Sequence, residues 1–462
     1  MSFDLQELMD ARRGENFRLH SEYLNPQLVK VLKTLGFDRF YVRGEGCYLY
    51  DRAGDRYLDF LAGFGVFALG RSHPVLKKAL HDALDMDLPN LGQLDCALLP
   101  GLLAEALVKR SHAGIERCFF SNSGAEAVEC AIKFAKYSTR RPRVLHAAHS
   151  FHGLTNGALS LNGGDEFRQG FGPLLPGCDP VPFGDLAALE RELRRGDVAA
   201  FVIELIQGKG VYLADDDYWA GVQALCRKHS TLFVADEVQT GLGRTGKLWA
   251  YEHYSLEPDM ITISKALSGG YVPVGATLCS SAVFDSVYSK MERAVVHSST
   301  FGRNQLAMVA GLATLQTLDD EDIIARAKST GEAFEKALDP LVSKYELLAS
   351  VRGKGLMIGL EFGEPSSFRL KSRWKVLESA RKGLFSQLIV GPLFTRHRIL
   401  TQVAADGVNV VKLLPPLVAG PEEVDYFADA LDDVLADAHK NSSLIFEFGK
   451  TLVKSALQRE RV

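Results

Sequence analysis

Six short apolar runs, at 117–121, 143–146, 199–204, 231–236, 260–264 and 274–278, alternate with segments long enough to form helices. Runs this short and this apolar read as strands buried on both faces, and their alternation with helices predicts a mostly parallel sheet covered on both sides. The expected fold class is therefore α/β. Ligands in such sheets collect beyond the carboxyl ends of the strands. Several runs reach polar residues there: Ser121-Asn122-Ser123, His146, Glu204, Asp236 and Ser264-Lys265.

The flanks read differently. Residues 15–45 look helical, and 46–60 alternate as two short strands around a turn at Ala53-Gly54-Asp55. After a helix at 304–318 come strands around 347–361 and 407–414, then helices at 421–438 and 443–458. This divides the chain into an N-terminal segment of a small domain (1–72), a large domain (73–330) and a C-terminal small domain with an extra helix (331–462). The small domain is expected to be α+β, built from both chain ends.

With 462 residues, 47% hydrophobic and 24% charged, the chain can bury more than one core. Its net charge of −4 gives no electrostatic reason to expect nucleic acid as a partner. The one basic cluster, Arg140-Arg141-Pro142-Arg143, reads as a solvated turn. Seven scattered cysteines without a C-x-x-C pair suggest neither a metal site nor a disulfide framework, and point to a cytoplasmic setting. The first 14 residues lack the apolar core of a signal peptide, and no segment approaches the roughly 20 apolar residues of a membrane span.

The stretch 233–247 carries two nucleotide-binding look-alikes, Gly241-x-Gly243-x-x-Gly246 and Gly241-x-x-x-x-Gly246-Lys247. A dinucleotide fingerprint must follow a strand directly and open a long helix. Here residues 236–240 intervene, and an aromatic-rich run ended by Pro258 follows. A P-loop needs Ser or Thr after its lysine, and this chain has Leu248.

Two other residues of the region suit pyridoxal 5'-phosphate. Lys265, at a strand end before a glycine turn, can form a Schiff base with an aldehyde cofactor and then carry protons. Alone it reads equally as a surface lysine. Asp236 ends a buried run, where an acid is costly without a cationic partner. A protonated pyridine nitrogen would be that partner. Ser123-Gly124-Ala125 opens a helix whose first N–H groups suit a phosphate, although Ser123 with Glu126 also reads as an ordinary capping box. Phe151-His152-Gly153 offers an aromatic plane to a ring, or simple packing.

Asn122 to Glu129, Phe151-His152-Gly153, Asp236 to Gly246, Ser264-Lys265 and Ser298 to Gly302 stand in the order and context of the class III aminotransferases, which the chain resembles over about 40–435. The resemblance implies the fold type I architecture and pyridoxal 5'-phosphate bound through Lys265. It further implies that Asp236 meets the pyridine nitrogen and Gln239 the phenolic oxygen. Ser123, Gly124 and Ala125 would hold the phosphate, with Phe151 and Val238 sandwiching the ring and His152 beside it. Thr300 would reach the phosphate of a neighbouring subunit, so a homodimer with sites at its interface is expected. The partners are then a small-molecule amine donor and a carbonyl acceptor, and the Gly241–Gly246 turn becomes structural.

Two departures concern the substrate. Family members that use α-amino acids pair a glutamate with an arginine that takes the α-carboxylate, where this chain has Lys209 and Lys412. A lysine lacks the planar fork that matches a carboxylate. Nearby lysines would repel unless an acid such as Glu204 lay between them. One substrate is therefore expected to lack an α-carboxylate, being an amine or a hydrophobic or polyol aldehyde, with Phe64 in the Gly63–Phe67 loop as an apolar wall. Alternatives are an ornithine-, acetylornithine- or putrescine-type enzyme using 2-oxoglutarate, another Schiff-base enzyme such as a mutase or decarboxylase, or a noncatalytic binding module. The amphipathic tail at 443–461 reads as packing on the body or the partner, or as a membrane contact.

Overall fold

Asp51 accepts hydrogen bonds from the backbone of Ala53 and Asp55, which fixes the tight turn between the second and third strands of the chain. Tyr41–Glu45 (β1), Tyr48–Asp51 (β2) and Arg56–Asp59 (β3) form an antiparallel meander. The computed structural model describes residues 3–440 apart from 91, 93 and 406. The helix expected at 443–458, with its membrane alternative, lies outside the described residues.

The expectation of continuous helix over 15–45 is corrected. Helices cover Asn16–Tyr23 and Pro26–Leu35, and Gly36 then adopts a left-handed φ of 75° that ends the second. The chain beyond pairs as β1.

The central sheet contains Arg117–Ser121 (β4), Arg143–Ala147 (β5), Cys178–Val181 (β6), Val198–Glu204 (β7), Leu232–Asp236 (β8), Met260–Ile263 (β9) and Gly275–Cys279 (β10). Its order is β4-β10-β9-β8-β7-β5-β6. From β6 to β9 neighbours run parallel, and β10 is antiparallel to both β9 and β4. This is the α/β fold expected. Its edge strand β6 escaped the sequence reading, being four residues long with Pro180 inside, a residue confined in sheets to edges and bulges. Phe201, Ile203, Phe233, Ile261 and Ile263 are fully buried in the main core, each contributing about 1.5–3 kcal/mol of transfer free energy.

A third sheet joins Leu348–Lys354 (β11), Met357–Phe362 (β12), Gln402–Val403 (β14) and Val410–Leu413 (β15), while Ile399–Leu400 (β13) pairs in parallel with β3. The two ends of the chain are thereby knitted into one sheet. Glu204 and Asp236 are register partners on β7 and β8, and Asp236 is paired with Thr262 on β9. The fold thus delivers two acids side by side to the rim where β9 leads into Lys265.

Candidate active site

Asp236 is buried, and its two oxygens have separate partners: Oδ1 accepts from the backbone N–H of Val238 at 3.0 Å, and Oδ2 faces His152 Nδ1 at 2.6 Å. The nearest partner of the acid is therefore His152, which the sequence reading placed beside the ring. Burial pulls the His152 proton affinity down, but the hydrogen bond and charge of Asp236, with Glu204 beyond, outweigh it and leave the value raised. His152 Nε2 is buried without a partner.

Lys265 follows β9 with φ 38°, a left-handed backbone that is strained for a residue with a side chain. Burial lowers its proton affinity, opposed by Asp236 and Glu204. Glu204 is buried as well, and burial raises its value. Its oxygens accept from the backbone N–H groups of Phe151 (3.0 Å) and Gly208 (2.8 Å). In this structure Glu204 fixes two loops, and its charge acts on Lys412, while Lys209 pairs with Glu166.

The Gly124–Thr139 helix starts at N-cap Ser123, whose hydroxyl accepts from Glu126 N at 3.2 Å. Glu126 reaches back to accept from the backbone and side-chain nitrogens of Asn122, so the helix start is capped from both sides. Gly124 and Ala125 lie in the first turn, where N–H groups have no intrahelical acceptor and the helix dipole favours an anion. A Cβ on Gly124 would stand 2.8 Å from Val238 Cγ1, so only glycine lets this turn approach the segment just past β8 so closely. A buried acid, a lysine within reach of its charge and a helix N-terminus are the groups that suit the ring nitrogen, aldehyde and phosphate of pyridoxal 5'-phosphate.

Around this core Phe151 makes an edge contact with Phe167 at 5.5 Å. Lys209 Nζ lies 4.5 Å from the Phe167 centroid and ion-pairs with Glu166. Lys412 is turned elsewhere: Nζ donates to Gly208 O at 2.7 Å and to Gln239 Oε1 at 3.3 Å. Gln239 Nε2 donates to Phe64 O at 2.9 Å. Burial, then the charge of Lys265, lowers Lys412 to about 7, with Glu204 opposing and Arg244 adding to the fall. The two lysines of the missing gate thus have separate partners.

Phe64 is exposed, in a turn where Ala62, Gly63, Phe64 and Gly65 all have positive φ. Thr300 is exposed in a segment that also exposes Met291, Val295 and Phe301, and the hydroxyl of the preceding Ser299 accepts from Asn122 Nδ2 at 2.8 Å. Glu166, Phe167 and Gly208 went unread in the sequence. A carboxylate after Gly163-Gly164 was the one available hint. The Gly241–Gly246 segment opens no long helix and is followed by a short 3-10 turn at Ala250–Tyr254, as its structural reading required.

The family model for aminotransferase class-III matches residues 32–435. Aminotransferase PigE of Serratia sp. (strain ATCC 39006) is 35% identical over 457 residues, covering 92% of this chain; the chain spans 54% of that protein's length. An acetylornithine aminotransferase of Caldanaerobacter subterraneus subsp. tengcongensis is 37% identical over 407 residues, 86% of this chain and 94% of its own. Among solved structures, the ornithine aminotransferase of Toxoplasma gondii, which has PLP at its active site, superposes with a TM-score of 0.81 at 26% identity, covering 95% of this chain and 99% of that one. The chain belongs to the class III aminotransferases, fold type I enzymes that depend on pyridoxal 5'-phosphate.

Proposed function

We propose that this aminotransferase exchanges an amino group between an amine or amino-acid donor and an aldehyde or 2-oxo acid, and that one of its substrates lacks an α-carboxylate. The observation that carries this is the position of Lys412. It is buried, spent on Gly208 O and Gln239 Oε1, and has no free planar fork for a carboxylate. Lys209, beside the Phe151 and Phe167 rings, is neutralised by Glu166. A site arranged this way favours a neutral or apolar substrate, with the Phe64 loop as its wall.

Bound pyridoxal 5'-phosphate supplies an electron sink for the bond being broken. Lys265 Nζ would hold the cofactor and, once displaced by the substrate amine, take the proton from the substrate carbon and return it elsewhere. Its lowered proton affinity favours the neutral amine that this work requires. Asp236, oriented by His152 and Val238 N, would face the ring nitrogen, and Ser123, Gly124 and Ala125 the phosphate. Phe151 and Val238 would flank the ring, and Gln239 would donate to its phenolic oxygen. Exposed Thr300 and its apolar neighbours fit a homodimer in which Thr300 completes the partner's phosphate site. Among the described residues no helix is long and apolar enough to cross a membrane, and a cytoplasmic setting accords with the free cysteines.

The test is the rate of the amine half-reaction, followed through the cofactor's absorption, for a panel of aliphatic amines and for L-ornithine. Faster conversion of the amines is expected. A clear preference for ornithine would overturn the reading in favour of an ornithine-type enzyme.

A further inference from the structure

The side-chain amide of Gln239 has an accepting end and a donating end, and its usefulness to a bound ring depends on which end faces inward. Here Oε1 receives Lys412 Nζ at 3.3 Å and Nε2 donates to Phe64 O at 2.9 Å. As an ammonium Lys412 has only donors, and as a neutral amine its two N–H groups are the ones given to Gly208 O and Gln239 Oε1, while Phe64 O can only accept. A flipped amide would set donor against donor at one end and acceptor against acceptor at the other.

Lys412 is itself held. It lies on β15, which is paired on both sides, and its ammonium donates to Gly208 O at 2.7 Å. A Cβ on Gly208 would stand 2.9 Å from Gln239 Oε1 and 3.0 Å from Glu204 Oε1, so the loop closes on the amide as tightly as a glycine allows. The charged groups acting on the ammonium are Lys265 and Arg244, which repel it, and Glu204, which attracts it.

We propose that Lys412 is a positioning residue that holds the Gln239 amide with Oε1 turned to its own Nζ, which leaves Nε2 as the end able to donate its second N–H to the cofactor's phenolic oxygen. In this chain the residue at the family's carboxylate-binding position works on the cofactor side of the site. The proposal rests on the reading of Gln239 as a donor to that oxygen, and is independent of the identity of the amine. A donor held there stabilises the oxygen's anionic form and lowers the pH at which the cofactor bound to Lys265 changes colour.

The experiment is a double-mutant cycle on holoenzyme without substrate, reading the midpoint of that pH-dependent absorption change in wild type, Gln239→Met, Lys412→Met and the double variant. Gln239→Met and Lys412→Met are each expected to raise the midpoint by about one pH unit. In the Gln239→Met background, Lys412→Met should add nothing further. Lys412→Gln, a neutral side chain that can still donate to Oε1, should stay near the wild-type midpoint. Additive shifts, or an equal shift for Lys412→Gln and Lys412→Met, would mean that Lys412 acts by charge alone and would overturn the proposal. An unshifted Lys412→Met would overturn it too. An unshifted Gln239→Met would bring down the reading of Gln239, and the proposal with it. If Lys412→Met does not fold, the Lys412→Gln midpoint in both backgrounds decides between positioning and charge.

Discussion

His152 Nδ1 meets Asp236 Oδ2 at 2.6 Å, both groups buried, so the acid assigned to the cofactor's ring nitrogen arrives already held in one orientation. One oxygen is fixed by the imidazole and the other by Val238 N. His152→Leu removes the charged hydrogen bond without removing the acid. The loss of about 1.5–3 kcal/mol expected for such a bond corresponds to a roughly 10- to 100-fold fall in kcat, with a smaller change in KM. Steady-state kinetics on the cofactor-saturated variant check this, and an unchanged kcat would show that Asp236 needs no help.

Gly124→Ala tests the phosphate cradle. The added methyl would collide with Val238 Cγ1 and force the helix start away from the segment just past β8. Cofactor affinity is expected to fall about 5- to 150-fold, a displacement costing on the order of 1–3 kcal/mol. Equilibrium dialysis of cofactor against wild type and variant measures it, and unaltered affinity would place the phosphate elsewhere.

The parts of this site that were legible in the sequence are those set by strand ends. Asp236 and Lys265 each close a short buried run, and the sheet rule alone brings such ends to one rim. The helix cap at Ser123 was equally local. What escaped reading depends on distant pairings: Glu166 with Lys209 spans 43 residues and Lys412 with Gln239 spans 173, and neither pair carries a periodicity or motif that announces it. Two lysines at a missing gate therefore read as neighbours in need of a shared acid, whereas the fold gives each its own partner. The strand at Tyr41–Glu45 was hidden similarly, because a left-handed Gly36 ends the helix just before it.

Glu166→Gln leaves the packing of Lys209 against Phe167 in place but removes the carboxylate's charge. The freed ammonium should attract carboxylate-bearing substrates, lowering KM for an α-amino acid severalfold, in keeping with up to about 1 kcal/mol for a partly exposed pair. KM for an amine without a carboxylate should not fall. Paired measurements on the two substrate types check the prediction, and equal changes for both would refute it.

Lys412 makes stability depend on pH in a defined direction. Its folded value, about 7, lies below its ordinary 10.5, so between these values the unfolded chain binds the extra proton and stability rises with pH. The cost of burying the ammonium is fully present below pH 7. Lys412→Met lacks this dependence. The stability of wild type relative to Lys412→Met should therefore climb as pH is raised from about 7 toward 10.5, as read by denaturant unfolding. A constant difference would show that the ammonium is not desolvated.

Under the proposed function, substrate choice does not depend on recognising an α-carboxylate. Putrescine and L-ornithine differ by that one group, so the ratio of their kcat/KM values isolates it. The ratio is expected to favour putrescine by about tenfold or more, equivalent to at least about 1.4 kcal/mol against the unpaired carboxylate. A ratio favouring ornithine would contradict it, and would mean that Lys209 or Lys412 leaves its partner to bind the carboxylate.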